Sequence, residues 1–191
     1  MIHSAARAGK ARATLLGLGI GLALVALIGA GRAVAHPQVI DFRDTCSGHR
    51  ADGHNHADTI YGSTRCRGTA DIFRGLFGPD RIYGFLGGDT LLKGAKGDDF
   101  VSGGSGADWI EGSDGTDTLR GGFHADHIEG GNDGDLIVGG AAGDKIFGQD
   151  GNDRIRGGGG ADSIDCGGGA EDEAWGGHGH DTFVGCERSH Q

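Results

Sequence analysis

Seven consecutive nonapeptides decide the fold of this chain. Residues 103–165 read GGSGADWIE, GSDGTDTLR, GGFHADHIE, GGNDGDLIV, GGAAGDKIF, GQDGNDRIR and GGGGADSID. In this register position 1 is Gly, position 6 is Asp and position 8 is aliphatic. The register continues outward to residues 53 and 184, with interruptions at Gly62–Arg65, at Lys93 and near Glu171. A period of nine fits neither a continuous helix nor a long strand, so it predicts a short strand plus a tight turn in every repeat.

The repeat predicts an all-β fold, a parallel β-roll (a β-helix solenoid). Positions 7–9 are expected to form the strand, in which only position 8 points inward, and positions 1–6 the turn, where Gly permits positive φ. Two strands and two turns close a coil of about 18 residues, and about seven coils would stack at roughly 4.8 Å over residues 53–184. The expected inward residues are Ile60, Phe73, Ile82, Leu91, Val101, Ile110, Leu119, Ile128, Ile137, Ile146, Ile155, Ile164 and Phe183.

Stacking would align the position-6 aspartates into one column on each edge of the roll. Carboxylates about one inter-strand spacing apart repel each other, so the columns call for bound cations. Ca²⁺ takes about six to eight oxygen ligands, which paired carboxylates and turn carbonyls can supply. We therefore predict several Ca²⁺ ions, held by Asp80, Asp99, Asp117, Asp135 and Asp153 on one edge and by Asp89, Asp108, Asp126, Asp144, Asp162 and Asp181 on the other.

The repeats GGSGADWIE, GQDGNDRIR and GGGGADSID closely resemble the RTX, or haemolysin-type, calcium-binding nonapeptide GGxGxDxUx. The resemblance covers about residues 53–184 and implies a parallel β-roll with Ca²⁺ between successive turns on each edge. Familiar RTX proteins attach such repeats to a toxin or hydrolase domain. The resemblance here covers the repeats only, so it implies neither toxin nor protease activity.

Some repeats depart from that pattern. Position 4 is His124, Asp133 and Ala142 in three consecutive repeats, and non-glycine residues adopt positive φ less easily. The unit around Glu171 lacks a clean position-6 Asp. We expect weaker cation sites in these turns.

The first 35 residues have the features of a secretory signal peptide. Arg7, Lys10 and Arg12 precede an apolar run over residues 14–29, and residues 33–35 form an A-x-A cleavage pattern. An uncleaved membrane anchor is the alternative, although the run is short and interrupted by Gly. We expect a secreted, extracellular protein without a membrane span after cleavage. Residues 36–52 would form an N-terminal cap and residues 185–191 a C-terminal tail.

Composition narrows the function classes. The chain has 43 Gly among 191 residues and a net charge of −10, which argues against nucleic acid as a partner and favours cations. No G-x-S-x-G, H-E-x-x-H, P-loop or EF-hand pattern is present, so we expect no enzymatic activity. The function predicted is calcium binding coupled to folding. The alternative is a structural or adhesive extracellular rod in which Ca²⁺ only stabilises the fold.

The four cysteines form two pairs with equal spacing. Cys46 and Cys66 are 20 residues apart, as are Cys166 and Cys186. Residues one coil apart would lie about 5 Å apart, within disulfide reach, so we predict these two disulfides. A Cys₄ zinc site is less favoured because C-x-x-C spacing is absent. The H-x-H motifs at residues 54–56 and 178–180 are interpreted as solvated turn residues.

Overall fold

The computed structural model describes residues 38–43, 49–62, 64 and 70–191, and their regular elements are all strands. No helix in this part of the chain is long and apolar enough to cross a membrane. The predicted signal peptide, Cys46 and Cys66 lie outside the described residues. The strands are β1 Val39–Asp41, β2 Arg50–Asp52, β3 Thr59–Tyr61, β4 Ile72–Phe77, β5 Arg81–Leu86, β6 Leu91–Lys96, β7 Phe100–Ser105, β8 Trp109–Asp114, β9 Thr118–Phe123, β10 His127–Asn132, β11 Leu136–Ala141, β12 Lys145–Asp150, β13 Arg154–Gly159, β14 Ser163–Asp165, β15 Glu173–His178, β16 Thr182–Val184 and β17 Arg188–His190.

Successive strands alternate between two parallel sheets. The odd sheet contains the nine odd-numbered strands from β1 to β17, and the even sheet the eight even-numbered strands from β2 to β16, each in sequence order. Every strand pairs in parallel with the strand two places further along the chain. The chain therefore winds as a solenoid of about eight turns. The predicted parallel β-roll is confirmed.

Most strands are longer than the sequence predicted. Strand β8 contains positions 7–9 of one repeat and positions 1–3 of the next, with Ile110 and Gly112 buried in alternation. Position 1 therefore points into the roll, as position 8 does. The glycines at positions 1 and 2 continue the ladder, and the turn shrinks to positions 4–6. The expectation that positions 1–6 all form the turn was wrong.

The position-8 side chains form the core. In the odd sheet Ile82, Val101, Leu119 and Ile137 stand in register on neighbouring strands and are fully buried. One predicted core residue is wrong: Leu91 is only half-buried, and Leu92 is the fully buried residue, in register with Phe73.

The extra residue in that repeat is Thr90 instead of Lys93. Asp89 keeps its place at the end of the turn, and β6 begins only at Leu91. The N–H groups of Thr90 and Leu91 both lie within bonding distance of the Asp71 carbonyl, at 3.0 and 3.4 Å. The roll absorbs one inserted residue there without losing the inward position.

The stack extends beyond residues 53–184 at both ends. Strands β1 and β2 lie within the segment expected as a cap, and β17 lies within the expected tail. Strand β1 pairs with β3 and β17 pairs with β15. These strands account for about eight turns where about seven were predicted.

A disulfide joins the last coils of the roll. Cys166 and Cys186 are bonded, with their Cα atoms 5.1 Å apart. Cys166 is buried at a position 1 of the repeat. The predicted Cys166–Cys186 pairing is confirmed, and the Cys46–Cys66 pairing stays a prediction.

Candidate metal sites

Position-6 aspartates stack in two buried columns. Each column aspartate lies in the turn that leads into a strand of its sheet, and its residue is at most 9% exposed. The odd column leads into the odd sheet and consists of Asp58, Asp80, Asp99, Asp117, Asp135, Asp153 and Asp172; the even column leads into the even sheet and consists of Asp71, Asp89, Asp108, Asp126, Asp144, Asp162 and Asp181. The eleven predicted aspartates all lie in the columns, divided between the edges as expected.

One carboxylate oxygen of each aspartate links neighbouring coils. The Asp80 N–H donates to Oδ1 of Asp99 at 2.7 Å, and the Asp99 N–H donates to Oδ1 of Asp117 at 2.8 Å. The same bond joins Asp108 to Asp126 in the even column at 2.9 Å. Each column is therefore a chain of side-chain to backbone hydrogen bonds that runs along the stack.

The second carboxylate oxygen has no protein partner. Within the described residues, Oδ2 is buried and accepts no hydrogen bond in thirteen of the fourteen column aspartates. Asp58 differs, because its Oδ2 accepts the His54 N–H at 2.5 Å. Burying an acceptor without a partner costs about 1–3 kcal/mol, and more when the group is charged. Two rows of such oxygens therefore indicate binding positions for cations.

Glycine at position 1 creates the space for Oδ2 of every column aspartate except Asp172, in whose unit Cys166 takes position 1. A Cβ placed on Gly139 would lie 2.3 Å from Oδ2 of Asp144 and 2.7 Å from the Gly157 carbonyl oxygen. The φ of Gly139 is not in the left-handed region, so the glycine is needed for its missing side chain. A carboxylate oxygen and a carbonyl oxygen from neighbouring coils thus converge where a larger residue would put carbon.

From residue 103 to residue 160 the turn backbone keeps one conformation whether or not the sequence supplies glycine. Positions 2 and 4 have positive φ, as at Gly104 and Gly106 with φ of 109° and 136°. In the three consecutive repeats that lack glycine at position 4, His124, Asp133 and Ala142 also have positive φ, between 74° and 80°. The departures noted in the sequence therefore strain these turns without changing their conformation.

Burial raises the pKa of most of the column carboxyls. It removes water from the charged form, which raises the pKa, while the N–H bond to Oδ1 lowers it and neighbouring carboxylates raise it further. The pKa rises from 3.8 to about 8 for Asp89, Asp126 and Asp135, to about 7 for Asp99 and Asp117, and to about 6 for Asp80, Asp108, Asp144 and Asp153. A bound cation would oppose this shift, because it favours the ionised form.

The donor set suits a hard cation. Nowhere in the described residues do three or more His, Cys, Asp or Glu side chains group as they would around a metal ion. A cation at a column must therefore draw on backbone carbonyls as well as carboxylates. Mixed carboxylate and carbonyl oxygen is the ligand set of Ca²⁺, whereas transition metals favour imidazole and thiolate.

Three column residues were not among those predicted. Asp58 and Asp71 occupy position 6 of the repeats GHNHADTIY and CRGTADIFR, so the register was sufficient to find them. The expectation that the unit around Glu171 lacks a column aspartate was wrong. Asp172 takes that place, and its Oδ1 accepts the Asp153 N–H at 2.8 Å. Because one residue is inserted before Asp172, counting nine residues from Asp162 reaches Glu171 instead.

Comparison with known families agrees with this geometry. The family model of the RTX calcium-binding nonapeptide repeat matches the chain in four copies, at residues 68–92, 93–128, 102–137 and 129–164. Together the copies span residues 68–164, just over half of the 191 residues. No curated protein matches the chain.

Proposed function

The chain belongs to the RTX calcium-binding nonapeptide repeat family, and we propose that it is a secreted protein whose roll binds Ca²⁺ along both aspartate columns and folds with it. The observation that supports this is the set of thirteen buried Oδ2 atoms without a protein partner. Ca²⁺ would be held by column carboxylates of neighbouring coils, such as Asp99 with Asp117 and Asp108 with Asp126, together with turn carbonyls. Its charge would neutralise carboxylates that otherwise repel each other.

Coupling to folding follows from the thin core. Each repeat buries one aliphatic side chain at position 8, and fully burying such a side chain contributes about 1.5–3 kcal/mol. This contribution is small against the backbone entropy lost when nine residues are ordered, which hydrogen bonds and turn packing only partly offset. The partnerless carboxylate oxygens add a further penalty. Cation binding to the folded state supplies the remaining stabilisation by mass action.

Two neighbouring aspartates give a matched test of this proposal. Asp99 is buried in the odd column, whereas Asp98 is exposed and accepts the Thr116 N–H through Oδ1 at 3.0 Å. Asp99→Asn keeps the Oδ1 acceptor but removes a ligand charge, so the Ca²⁺ midpoint of folding should rise roughly threefold or more. Asp98→Asn should leave that midpoint nearly unchanged. Far-UV circular dichroism during Ca²⁺ titration measures both midpoints.

The unsubstituted chain supplies the reference. In excess EGTA it should lack the β-sheet spectrum, and millimolar Ca²⁺ should restore it, while Mg²⁺ should do so poorly because it demands tighter octahedral geometry. The same cooperative β spectrum in EGTA and in Ca²⁺ would refute metal-coupled folding and favour the structural rod. Equal midpoint shifts in Asp99→Asn and Asp98→Asn would refute the assignment of the columns.

A further inference from the structure

On the outward face of the even sheet, several basic side chains lie beside an acidic partner. On the even sheet, Arg74 Nη1 lies 3.6 Å from Asp52 Oδ1, and His127 Nε2 lies 2.8 Å from Glu129 Oε1. A third even-sheet pair joins Lys93 to Glu111.

On the odd sheet, three outward arginines have no such partner. Among the described residues, Arg120, Arg154 and Arg156 form neither an ion pair nor a side-chain hydrogen bond. The acidic neighbour Glu173 is in register with Arg154, yet the contact within 4 Å that its Oε1 makes is to His190 Nε2, at 3.9 Å. One carboxylate thus accompanies three guanidinium groups on a chain whose net charge is −10.

These arginines surround a cleft with an apolar floor. Its volume is about 450 Å³, and its lining consists of Arg120, Leu136, Val138, Arg154, Arg156, Glu173 and Trp175. Register places Arg120, Val138, Arg156 and Trp175 on four consecutive strands of the odd sheet, from β9 to β15. Leu136 is 42% exposed, so apolar surface is open to solvent between the charges.

Aromatic rings restrain two of the guanidinium groups, one ring from outside the cleft and the other within its lining. Arg120 Cζ lies 5.5 Å from the Phe100 ring centroid, and Arg156 Cζ lies 5.4 Å from that of Trp175. Cation–π contacts of this kind restrict the arginine without using its N–H donors. The side chains are therefore partly ordered before any ligand arrives, which lowers the entropy lost on binding.

We propose that this cleft binds an acidic oligosaccharide through its uronate groups. A carboxylate accepts two parallel N–H bonds from one guanidinium, which suits an arginine that has no acidic partner. The C–H faces of the sugar rings would lie on Leu136, Val138 and the edge of Trp175. Arg120 on β9 and Arg156 on β13 are two coils apart, roughly 10 Å along the roll, which is similar to the advance of two sugars in an extended glycan. None of the lining residues belongs to an aspartate column, so this site is additional to the Ca²⁺ sites.

Other polyanions fit the cleft less well. Nucleic-acid sites present many cations to a dense row of phosphates, and their proteins are usually basic. Here the lining includes a carboxylate and an apolar floor, which a dense row of phosphates does not match. An anionic membrane surface would be met by protruding lysines and apolar side chains instead of a recessed cleft.

The test measures binding of short oligogalacturonate to the full chain, folded as judged by circular dichroism, by isothermal titration calorimetry. We expect saturable binding that weakens with added salt and is absent for a neutral oligosaccharide of equal length. The double variant Arg120→Gln, Arg156→Gln should lose about tenfold or more in affinity, because two charge-assisted contacts are removed. Arg74→Gln, on the even sheet, is the matched control and should change affinity less than about twofold.

Three results would overturn the proposal. One is no detectable binding of oligogalacturonate at millimolar concentration by a chain whose spectrum shows the folded roll. Another is equal affinity of the double variant and Arg74→Gln. The third is tighter arginine-dependent binding of single-stranded DNA or of anionic phospholipid vesicles, which would assign the cleft to a different class of partner.

Discussion

At the scale of single residues, position-1 glycine and position-6 aspartate work as a pair. In strand β13 a Cβ on Gly157 would lie 2.2 Å from Oδ2 of Asp162 and 2.8 Å from the Gly176 carbonyl oxygen. The carboxylate can point into the roll only because that carbon is missing. The fixed spacing between glycine and aspartate therefore has one structural cause: the buried carboxylate needs the space that the glycine leaves open.

Two glycines of the same strand test this pairing. Gly157→Ala should destabilise the Ca²⁺-loaded roll by about 1–3 kcal/mol, the usual effect of overpacking, and should raise the Ca²⁺ midpoint. Gly159 is the control, since nothing lies within 4 Å of a Cβ built there and its φ is not in the left-handed region. Gly159→Ala should shift stability by less than about 1 kcal/mol, toward a more stable roll. Urea unfolding in saturating Ca²⁺ measures both, and equal losses would contradict the account.

At the scale of elements, the sequence predicted the alternation of strands between two parallel sheets correctly, but it predicted strands that are too short. The alternation of strands between two sheets follows from the nine-residue register alone. The six-residue strands were missed because glycine at positions 1 and 2 is typical of turns, whereas here it continues the ladder beside the neighbouring coil. The inward position of Leu92 was missed because this repeat has one extra residue. With Leu91 and Leu92 adjacent, the sequence does not show whether the extra residue precedes or follows them. Strands β1, β2 and β17 were missed because they lie where the glycine and aspartate register is absent.

The disulfide acts on the last coils only. Each coil of a solenoid contacts its neighbours alone, so a crosslink at one end stabilises mainly that end. Replacing both cysteines, Cys166→Ala with Cys186→Ser, releases a closed loop whose ends are 20 residues apart, worth about 3 kcal/mol in the chain-entropy model. Amide hydrogen exchange should accelerate in β14–β17. Exchange in β7–β10 serves as the internal control, and equal acceleration there would contradict local stabilisation.

At the scale of the whole roll, stability should depend on proton and Ca²⁺ concentration in linked ways. Nine column carboxyls, among them Asp89, Asp108 and Asp135, have a pKa near 3.8 in an unfolded chain but of about 6 to 8 when buried without metal. The metal-free roll therefore binds more protons than the unfolded chain between those values. The stabilisation that these bound protons give to the metal-free roll is fully present below pH 3.8 and is lost as pH rises through about 8.

This linkage predicts opposite effects of pH with and without metal. In EGTA, lowering the pH from 8 to 6 should increase the β-sheet signal, and pH 6 is still above the sequence pI of about 5.3. In Ca²⁺ the same change should raise the Ca²⁺ midpoint, because protons compete for the ligand oxygens. Circular dichroism at both pH values measures the two effects. A β signal in EGTA that grows from pH 6 to pH 8 would contradict the raised pKa values.

The most direct test of the central claim is the position of the cations themselves. Crystals grown in CaCl₂ and measured by anomalous X-ray diffraction locate bound Ca²⁺ without reference to any assumed ligand. If Ca²⁺ binds along both columns, anomalous peaks lie beside Oδ2 of neighbouring aspartates such as Asp99 with Asp117 and Asp108 with Asp126. Columns without peaks, in a roll whose Oδ2 atoms bond to water or to protein donors instead, would contradict that claim.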